Sequence, residues 1–279
     1  MQVYNTKTAL RAAHAEWRKA EDSVGLVPTM GFLHAGHMAL VAAARAANDR
    51  VIVTIFVNPT QFAAGEDLSS YPRDMDRDLA MLRAAGVDAV FAPSVDEMYA
   101  GVSETIVETT KLSRILMGRL RPGHYRGVAT VVTKLFNICQ PDHAYFGEKD
   151  YQQLCVIRRM VRDLDMPLEI VGVPIVRESD GLAMSSRNVR LTAADRAAAV
   201  VLNRALDSAD GDTAAKMRRN IRAVLDTEPR GKVESVDIRD AETLTAVRGK
   251  ITRPVVALLA VRFGNVLLID QRVLSGEKI

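Results

Sequence analysis

The 279-residue sequence is poor in cysteine, in long apolar runs and in excess charge of either sign. Its two cysteines, Cys139 and Cys155, are too few for a metal cluster of cysteine ligands or a disulfide framework. Both lie in helical patterns among apolar residues, so we expect them to pack as small core side chains. No apolar run approaches the roughly 20 residues that span a bilayer, and the amino terminus lacks the basic segment and apolar core of a signal peptide.

Lysine and arginine number 37 against 34 aspartate and glutamate residues, which leaves a formal net charge of +3. This balance does not favour a nucleic-acid partner, because nucleic-acid-binding domains carry a marked basic surface. The first strand-like run is not followed by Gly-x-Gly-x-x-Gly, which argues against a redox dinucleotide protein. With 48% hydrophobic and 25% charged residues, the composition is that of a soluble globular protein. We expect it in the cytoplasm, without nucleic-acid or membrane partners.

Short β-branched runs alternate with helical patterns through the first part of the chain. Strands joined by helices predict a parallel sheet covered on both faces, and the nearly continuous apolar run VIVTIFV fits burial on both sides. We therefore predict an α/β fold, with a doubly wound, Rossmann-like nucleotide-binding domain over residues 1–176. The expected strands are Val24–Pro28, Val51–Asn58, Val87–Ala92, His143–Phe146 and Leu168–Val176, and the expected helices are Gly36–Asn48, Asp74–Ala85, Val128–Gln140 and Asp150–Leu164.

The pattern changes after Arg187, where two alanine- and arginine-rich helices precede three strand-like runs without crossover helices between them. Phe263-Gly264-Asn265 is typical of a hairpin turn. This order predicts a smaller α+β domain with an antiparallel sheet over residues 177–279. The expected helices are Thr192–Ser208 and Thr213–Thr227, and the expected strands are 233–240, 253–261 and 265–273.

The segment Val27–His37 follows the first expected strand of the sheet and opens a helix. A helix amino terminus offers backbone amides and the positive end of the helix dipole, which together favour phosphate. His34 and His37 share a helix face, where they can donate hydrogen bonds to phosphates or, when protonated, neutralise a departing pyrophosphate. Together with Gly36 they resemble the His-x-Gly-His signature of nucleotidyl transferases and one class of aminoacyl-tRNA synthetases. The alternative is a strand–turn–helix with two structural histidines.

Two further segments follow expected strands at the edge where ligands of open α/β sheets bind. Asn58–Phe62 carries Gln61, whose amide offers both a donor and an acceptor to a hydroxy acid; a turn stabilised by Asn-Pro is the alternative. Gly147–Asp150 carries Lys149, which can reach phosphate oxygens as a point charge. The alternative for this second segment is a polar helix start.

Two loop segments complete the set of candidates. Met184–Arg187 places two hydroxyls and a guanidinium on a turn that we expect to be mobile and to close over a triphosphate. A solvated linker between domains is the alternative for this turn. Arg121, His124 and Arg126 form a basic Pro-Gly loop suited to a lid over anionic substrates, and the sequence leaves its role open.

Five segments together resemble the pantothenate synthetase family, which are AMP-forming pantoate–β-alanine ligases. In chain order they read PTMGFLHAGH, FVNPTQF, RPGHYRG, FGEKDYQQ and DGLAMSSRN, and they extend from about Pro28 to Asn188. The resemblance implies that ATP activates pantoate as pantoyl adenylate with release of pyrophosphate, and that β-alanine then displaces AMP. It also implies Mg²⁺ that arrives with ATP, bound mainly through phosphate oxygens, and a homodimer.

The resemblance also implies roles for individual residues. His34, His37 and Lys149 are the expected catalytic residues, and Gln61 and Gln153 are expected to hold the hydroxyl and carboxylate of pantoate. Direct protein ligands of Mg²⁺ are not identifiable. The expected ATP-binding residues are Met30, Gly31, Phe32, Leu33, His34, Ala35, Gly36, His37, Gly147, Glu148, Lys149, Asp150, Val176, Met184, Ser185, Ser186 and Arg187.

Two other functions stay open on the sequence. A nucleotidyl transferase that keeps AMP on its product would share His-x-Gly-His and the sheet, but it would release no free AMP and would leave Gln61 and Gln153 without a task. An RNA-binding module related to the synthetases is the second. The near-neutral charge and the lack of an aromatic-rich basic surface argue against it.

Overall fold

The computed structural model describes residues 1–63, 68–101 and 103–274, which form two units. The first comprises Met1–Glu148 and Val156–Pro174, and the second comprises Lys149–Cys155 and the chain from Ile175 onward. The domain boundary expected after Val176 stays a prediction, and the alternation of elements gives no sign that Lys149–Cys155 groups with the second unit. Within the described ranges, no helix combines the length and the apolar character needed to cross a membrane.

The described part of the first unit contains one parallel sheet. Its strands are β1 (Gln2–Tyr4), β2 (Val24–Thr29), β3 (Arg50–Ile55), β4 (Ala89–Phe91), β5 (His143–Gly147) and β6 (Glu169–Val173). They lie in the order β1-β4-β3-β2-β5-β6, and every neighbouring pair is parallel. Successive residues of a strand face opposite sides of a sheet, so the complete burial of Leu26 and Val27, and of Val51 and Ile52, shows that both faces are covered. The predicted doubly wound, Rossmann-like fold is confirmed.

Helices cover this sheet, and two of them, α2 (Ala35–Ala47) and α3 (Met75–Ala84), pack on one face of it. Leu40 and Val41 of α2 and Leu82 of α3 share a buried cluster with Val51 and Val53 of β3. Helix α7 (Tyr151–Asp163) contains residues assigned to both units. The helices are α1 (Lys7–Lys19), α2 (Ala35–Ala47), α3 (Met75–Ala84), α4 (Val95–Tyr99), α5 (Met117–Leu120), α6 (His124–Cys139) and α7 (Tyr151–Asp163).

The amino-terminal elements β1 and α1 have no counterpart among the predicted ones. Strand β1 pairs with β4 and is the outermost strand of the sheet. Its three residues are too few to show a periodic pattern. Helix α1 starts after Thr6, whose hydroxyl accepts from the amide of Ala9 at 3.3 Å. Its buried residues are Leu10 and His14, so its apolar stripe is narrow.

Helix α6 begins four residues earlier than predicted from the apolar pattern at Val128. The basic loop expected over Arg121–Arg126 is therefore wrong in part, because His124 and Arg126 form the first turn of this helix. The spacing of apolar residues cannot predict a helix start whose first turn is polar. Gly123 directly precedes this turn with a φ of +83°, a conformation that favours glycine. Farther along, the predicted apolar stripe is confirmed as buried.

Both cysteines are buried, which confirms their predicted role as core side chains. Cys139 lies on α6 and is 0% exposed. Its burial raises the pKa of the thiol, because a thiolate is poorly solvated in an apolar surrounding. Cys139 is therefore an inert packing residue.

The sheet grows in two directions from β2. The chain adds β3 and β4 on one side of β2, and β5 and β6 on the other. Because β2 and β5 are parallel neighbours, their carboxyl ends lie side by side at the edge where open α/β sheets bind ligands. The segments that follow Thr29 and Gly147 therefore begin at the ends of neighbouring strands.

The second unit contains a three-stranded antiparallel sheet and confirms the predicted smaller α+β region. The turn Gly264–Asn265 joins the last two strands as expected, with Gly264 at a φ of +54°. The single helix predicted at Thr192–Ser208 is wrong, because a bond from Leu202 N to Ala199 O at 3.2 Å interrupts the helical spacing. The elements are α8 (Ala193–Ala198), α9 (Val201–Asp207), α10 (Ala214–Leu225), β7 (Gly231–Asp240), β8 (Val255–Phe263) and β9 (Val266–Leu274).

Candidate active site

His34 and His37 lie together at the amino end of α2, directly beyond the carboxyl end of β2. His34 is the N-cap residue, and its Nδ1 accepts from the amide of Gly36 at 3.1 Å. His37 completes a capping box, since its Nδ1 accepts from the amide of His34 at 3.3 Å. The two ring centroids are 4.1 Å apart. Both histidines are thus fixed by the helix end that they cap.

These capping bonds decide which nitrogen of each ring carries hydrogen. Since Nδ1 of His34 and of His37 accepts an amide hydrogen, Nε2 bears the hydrogen in the neutral ring. Donation of a hydrogen bond to phosphate, one of the two roles expected of these rings from the sequence, therefore falls to Nε2. Phosphate oxygens are the acceptors that such donors suit.

The loop between β2 and α2 is held by a buried carboxylate that the sequence reasoning did not identify. Asp78 of α3 is 1% exposed and accepts from the amides of Phe32 at 2.7 Å and Leu33 at 2.8 Å. Gly31 in the same loop has a φ of +81°, and a Cβ there would lie 3.1 Å from Asp78 Oδ2. The signal for Asp78 is a charged residue four positions before the buried Leu82, on the apolar face of its helix.

Gln61 ends the 3₁₀ turn Pro59–Gln61 after β3, and it is 9% exposed. Its Oε1 accepts from Asn58 Nδ2 at 3.1 Å, and its Nε2 lies 3.1 Å from Met30 Sδ. The structure therefore brings Gln61 and Met30, two residues predicted for the site, into contact. Asn58 is itself held by Tyr99, whose hydroxyl donates to Asn58 Oδ1 at 2.6 Å. Burial raises the pKa of Tyr99, which keeps that donor protonated.

The segment after β5 begins at Gly147, the last residue of the strand. Glu148–Asp150 forms a 3₁₀ turn, and α7 follows at once with the half-buried Gln153 in its first turn. The Lys149 ammonium lies 3.9 Å from Asp150 Oδ1, with 19% of its side chain exposed. A Cβ built on Gly147 would meet no described atom within 4 Å, so its backbone is sterically approachable.

In the second unit, the turn Met184–Arg187 is tethered at both ends. The amide of Met184 donates to Val176 O at 3.0 Å, which brings two predicted ATP-binding residues together. At the other end, Asn188 Nδ2 donates to Ala183 O at 3.1 Å. Within the turn, Arg187 N donates to Ser185 Oγ at 3.2 Å. The mobility expected of this turn from the sequence stays a prediction.

Arg196 strengthens the base of this turn. It pairs with Glu178 at 2.6 Å and with Asp180 at 2.8 Å. The hydrogen bond from Arg196 holds the pKa of Asp180 below its ordinary value. Glu178 and Asp180 belong to the hairpin closed by the bridge between Arg177 and Ala183, and Arg196 reaches them from α8.

No group of three or more His, Cys, Asp or Glu side chains converges as metal ligands among residues 1–63, 68–101 and 103–274. In the first unit, the groups at the amino end of α2 are instead backbone N–H groups and the two imidazole rings of His34 and His37. Such a set suits an anionic ligand. A phosphate-rich ligand fits both this chemistry and the helix end at which His34 and His37 lie.

Comparison with known proteins agrees with this geometry. The family model described as pantoate-beta-alanine ligase matches residues 2–273. The pantothenate synthetases of Bartonella tribocorum and Sinorhizobium medicae are each 54% identical to this chain over 99% of its length, and the matches cover 99% and 97% of those proteins.

Solved structures agree as well. A crystal structure of pantothenate synthetase from Thermus thermophilus is 46% identical, with a TM-score of 0.92 over 98% of this chain and 99% of that one. The pantoate-beta-alanine ligase of Francisella tularensis, complexed with beta-gamma ATP and beta-alanine, is 33% identical, with a TM-score of 0.82 over 98% and 97% of the two chains. The chain therefore belongs to the pantoate–β-alanine ligase family.

Proposed function

We propose that this ligase joins pantoate to β-alanine through a pantoyl adenylate, with the residues of the candidate site in the roles given below. A pantoate carboxylate oxygen attacks the α-phosphorus of ATP, and the bond from that phosphorus to pyrophosphate breaks. The β-alanine nitrogen then attacks the acyl carbon, AMP leaves with the bonding electron pair, and the nitrogen loses a proton. No protein nucleophile is needed, so catalysis rests on positioning and charge stabilisation.

The observation that carries this proposal is the pair of histidines that cap α2. Their Nδ1 atoms accept from backbone amides at 3.1 Å and 3.3 Å, which directs the neutral rings to donate through Nε2. In the proposed reaction His34 and His37 donate to phosphate oxygens, and their bonds strengthen as negative charge builds on the leaving pyrophosphate. The amino end of α2 adds its dipole to the same stabilisation.

Gln61 and Gln153 are proposed to hold the hydroxyl and carboxylate of pantoate. The contacts of Gln61 support this role, because its Nε2 donates to the sulfur of Met30, which is a weak acceptor. A substrate oxygen is a stronger acceptor and would replace that contact. The Oε1 of Gln61 is already oriented by Asn58, so the amide is preorganised to donate.

Lys149 and the turn Ser185–Arg187 are proposed to bind the triphosphate. An ammonium and a guanidinium supply two positive charges, and the hydroxyls supply neutral donors. ATP acts as its magnesium complex, with Mg²⁺ held mainly by phosphate oxygens and water. We expect a cytoplasmic homodimer from the family resemblance, and light scattering on the purified protein measures the oligomeric state.

Exchange of label between pyrophosphate and ATP tests the proposal directly. We expect exchange with pantoate present and β-alanine omitted, because adenylation is a reversible half-reaction. Addition of β-alanine should then release one free AMP for each pantothenate formed. Exchange without pantoate would overturn the substrate assignment, and AMP retained on the product would indicate the alternative nucleotidyl transferase.

A further inference from the structure

The basic segment Arg121–Gly127 lies against the turn that carries Gln61. His124, the first residue of α6, places its Nδ1 2.9 Å from the backbone oxygen of Gln61. Arg121 places Nη1 3.2 Å from His124 Nε2, and its Nη2 is 3.5 Å from the same Gln61 oxygen. The segment that the sequence suggested as a lid thus contacts the protein's own backbone.

Contacts with Arg121 and with the Gln61 carbonyl fix the tautomer of His124. A carbonyl oxygen only accepts, so Nδ1 of His124 carries hydrogen and donates to Gln61 O. A guanidinium only donates, so Nε2 of His124 is the acceptor for Arg121. Both ring nitrogens are therefore engaged within the protein, in the neutral form with hydrogen on Nδ1. This tautomer is opposite to the one assigned to His34 and His37.

Close packing at Gly127 holds the same turn from a second side. A Cβ on Gly127 would lie 2.4 Å from the backbone oxygen of Thr60 and 2.7 Å from Gln61 Cα, so only glycine fits there. Asn58 Nδ2 lies 3.3 Å from Gly127 O as well as 3.1 Å from Gln61 Oε1. The first turn of α6 thus sets the backbone of Gln61, and Asn58 sets its side chain.

We propose that His124 is a positioning residue for pantoate binding, which it serves by holding the backbone of Gln61 through its Nδ1–H, with Arg121 fixing the tautomer. The inference rests on the proposed role of Gln61 as a pantoate ligand. His124 acts on the substrate through Gln61, because its Nδ1 donates to the Gln61 carbonyl and its Nε2 accepts from Arg121. The segment is thereby a support for the acid-binding turn.

Three substitutions at one position separate the donor from the bulk of the ring. His124→Asn places an amide N–H near the Nδ1 position, whereas His124→Gln places it near Nε2, and His124→Ala removes both. Loss of the donor leaves the Gln61 carbonyl poorly satisfied, so His124→Ala and His124→Gln should raise the pantoate KM in the exchange assay by about five- to tenfold. His124→Asn should stay within about threefold of the parent, and the ATP KM should be unchanged in all three.

A double-mutant cycle with Gln61→Ala distinguishes the two levels of the proposal. If His124 acts through Gln61, His124→Ala should add no further increase in pantoate KM once Gln61 is alanine. An unchanged pantoate KM in Gln61→Ala alone would overturn the proposed role of Gln61. If Gln61→Ala raises KM but His124→Asn and His124→Gln behave alike, the positioning role of His124 is wrong while the role of Gln61 stands. Thermal unfolding of each variant identifies any that misfold, and the Asn and Gln variants provide the comparison if alanine is not tolerated.

Discussion

The polar groups differ between the side of the parallel sheet where the strands begin, here called the amino edge, and the side where they end, the carboxyl edge. At the amino edge, Asp142 accepts from the amide of Val24 at 2.7 Å and pairs with Arg18 at 2.9 Å. Asp88 similarly accepts from the amide of Val51 at 2.8 Å, and it pairs with Arg45 through the same oxygen and with Arg50 through the other. At this edge the carboxylates meet their donors within the protein.

The carboxyl edge is built mainly from donors. The amino end of α2 and the neutral rings of His34 and His37 present N–H groups, and the amide of Gln61 donates to the weak acceptor of Met30. An anionic substrate with many oxygens complements such a surface. Ion pairs between carboxylates and arginines therefore stabilise the amino edge, while the carboxyl edge presents hydrogen-bond donors suited to a ligand.

The largest effect that the comparison predicts is at His37. His37→Ala should slow pantoate adenylation by roughly a hundredfold or more, because it removes a donor to charge that develops in the transition state. Pantoate binding should change little, and stability should fall only by about 1 kcal/mol, the usual size for a lost helix cap. Single-turnover measurement of pantoyl adenylate formation gives the rate, and equilibrium binding gives the affinity.

His143 at the amino edge provides the matched control. It is the first residue of β5, and its Nδ1 lies 2.8 Å from Asn48 Oδ1, so it also is a hydrogen-bonded histidine. His143→Ala should leave adenylation near the parent rate and lower only stability. Near-normal turnover in His37→Ala would remove the distinction between the edges and give His37 a capping role alone.

The second prediction concerns Asp78, the carboxylate at the carboxyl edge. Asp78→Asn would turn an amide group toward the N–H groups of Phe32 and Leu33, which Asp78 now accepts at 2.7 Å and 2.8 Å. We expect a loss of about 2 kcal/mol in the free energy of unfolding, the size typical of charged hydrogen bonds that are broken when buried. The adenylation rate should fall with it by about tenfold, since the same loop leads into His34. Urea unfolding together with exchange kinetics measures both, and a stability loss with full activity would contradict the link.

Features that depend on residues close together in the chain can be predicted from this sequence, whereas contacts between distant residues cannot. The strand β2 and the histidine pair follow from contiguous residues, because an apolar run, a turn and a helix start are all local patterns. Asp78 and His124 act on partners 46 and 63 residues away in the chain, and no local pattern records such a pairing. Residue type still indicates that each residue is unusual: Asp78 is a charged residue on an apolar helix face, and His124 lies in a basic segment for which the sequence assigns no role.

The third prediction returns to the amino edge. Asp142→Asn should lower the free energy of unfolding by about 1 kcal/mol, because it weakens a half-exposed pair with Arg18 and a bond from the amide of Val24. The adenylation rate should be unchanged. Urea titration measures the free energy of unfolding, and the exchange assay on the same preparation measures adenylation. A fall in pantoate-dependent exchange beyond about twofold would mean that the amino edge also serves catalysis.

The smallest expected effect is a pH dependence at the amino edge, carried by His14. Its ring is 3% exposed, and Nε2 lies 3.1 Å from the backbone oxygen of Gln140. Desolvation by burial lowers the pKa of His14 from its ordinary 6.5, with Arg18 acting in the same direction, while the Gln140 bond and Asp142 oppose it. Because the unfolded chain binds this proton more readily, the stability that His14 contributes is present above 6.5 and is lost as pH falls below it.

Substitution of His14 by glutamine tests this sign. His14→Gln keeps an amide donor near the Nε2 position toward Gln140 O but does not titrate. Unfolding free energies of parent and variant, measured from about pH 7.5 to about pH 5, should therefore diverge in slope, with the parent losing stability more steeply below its ordinary pKa. The charged neighbours Arg18 and Asp142 are the same in both proteins, so their own titration cancels in the difference. Parallel curves would show that His14 takes up its proton equally in the folded and unfolded states. The stability of the amino edge would then rest on its carboxylate–arginine pairs.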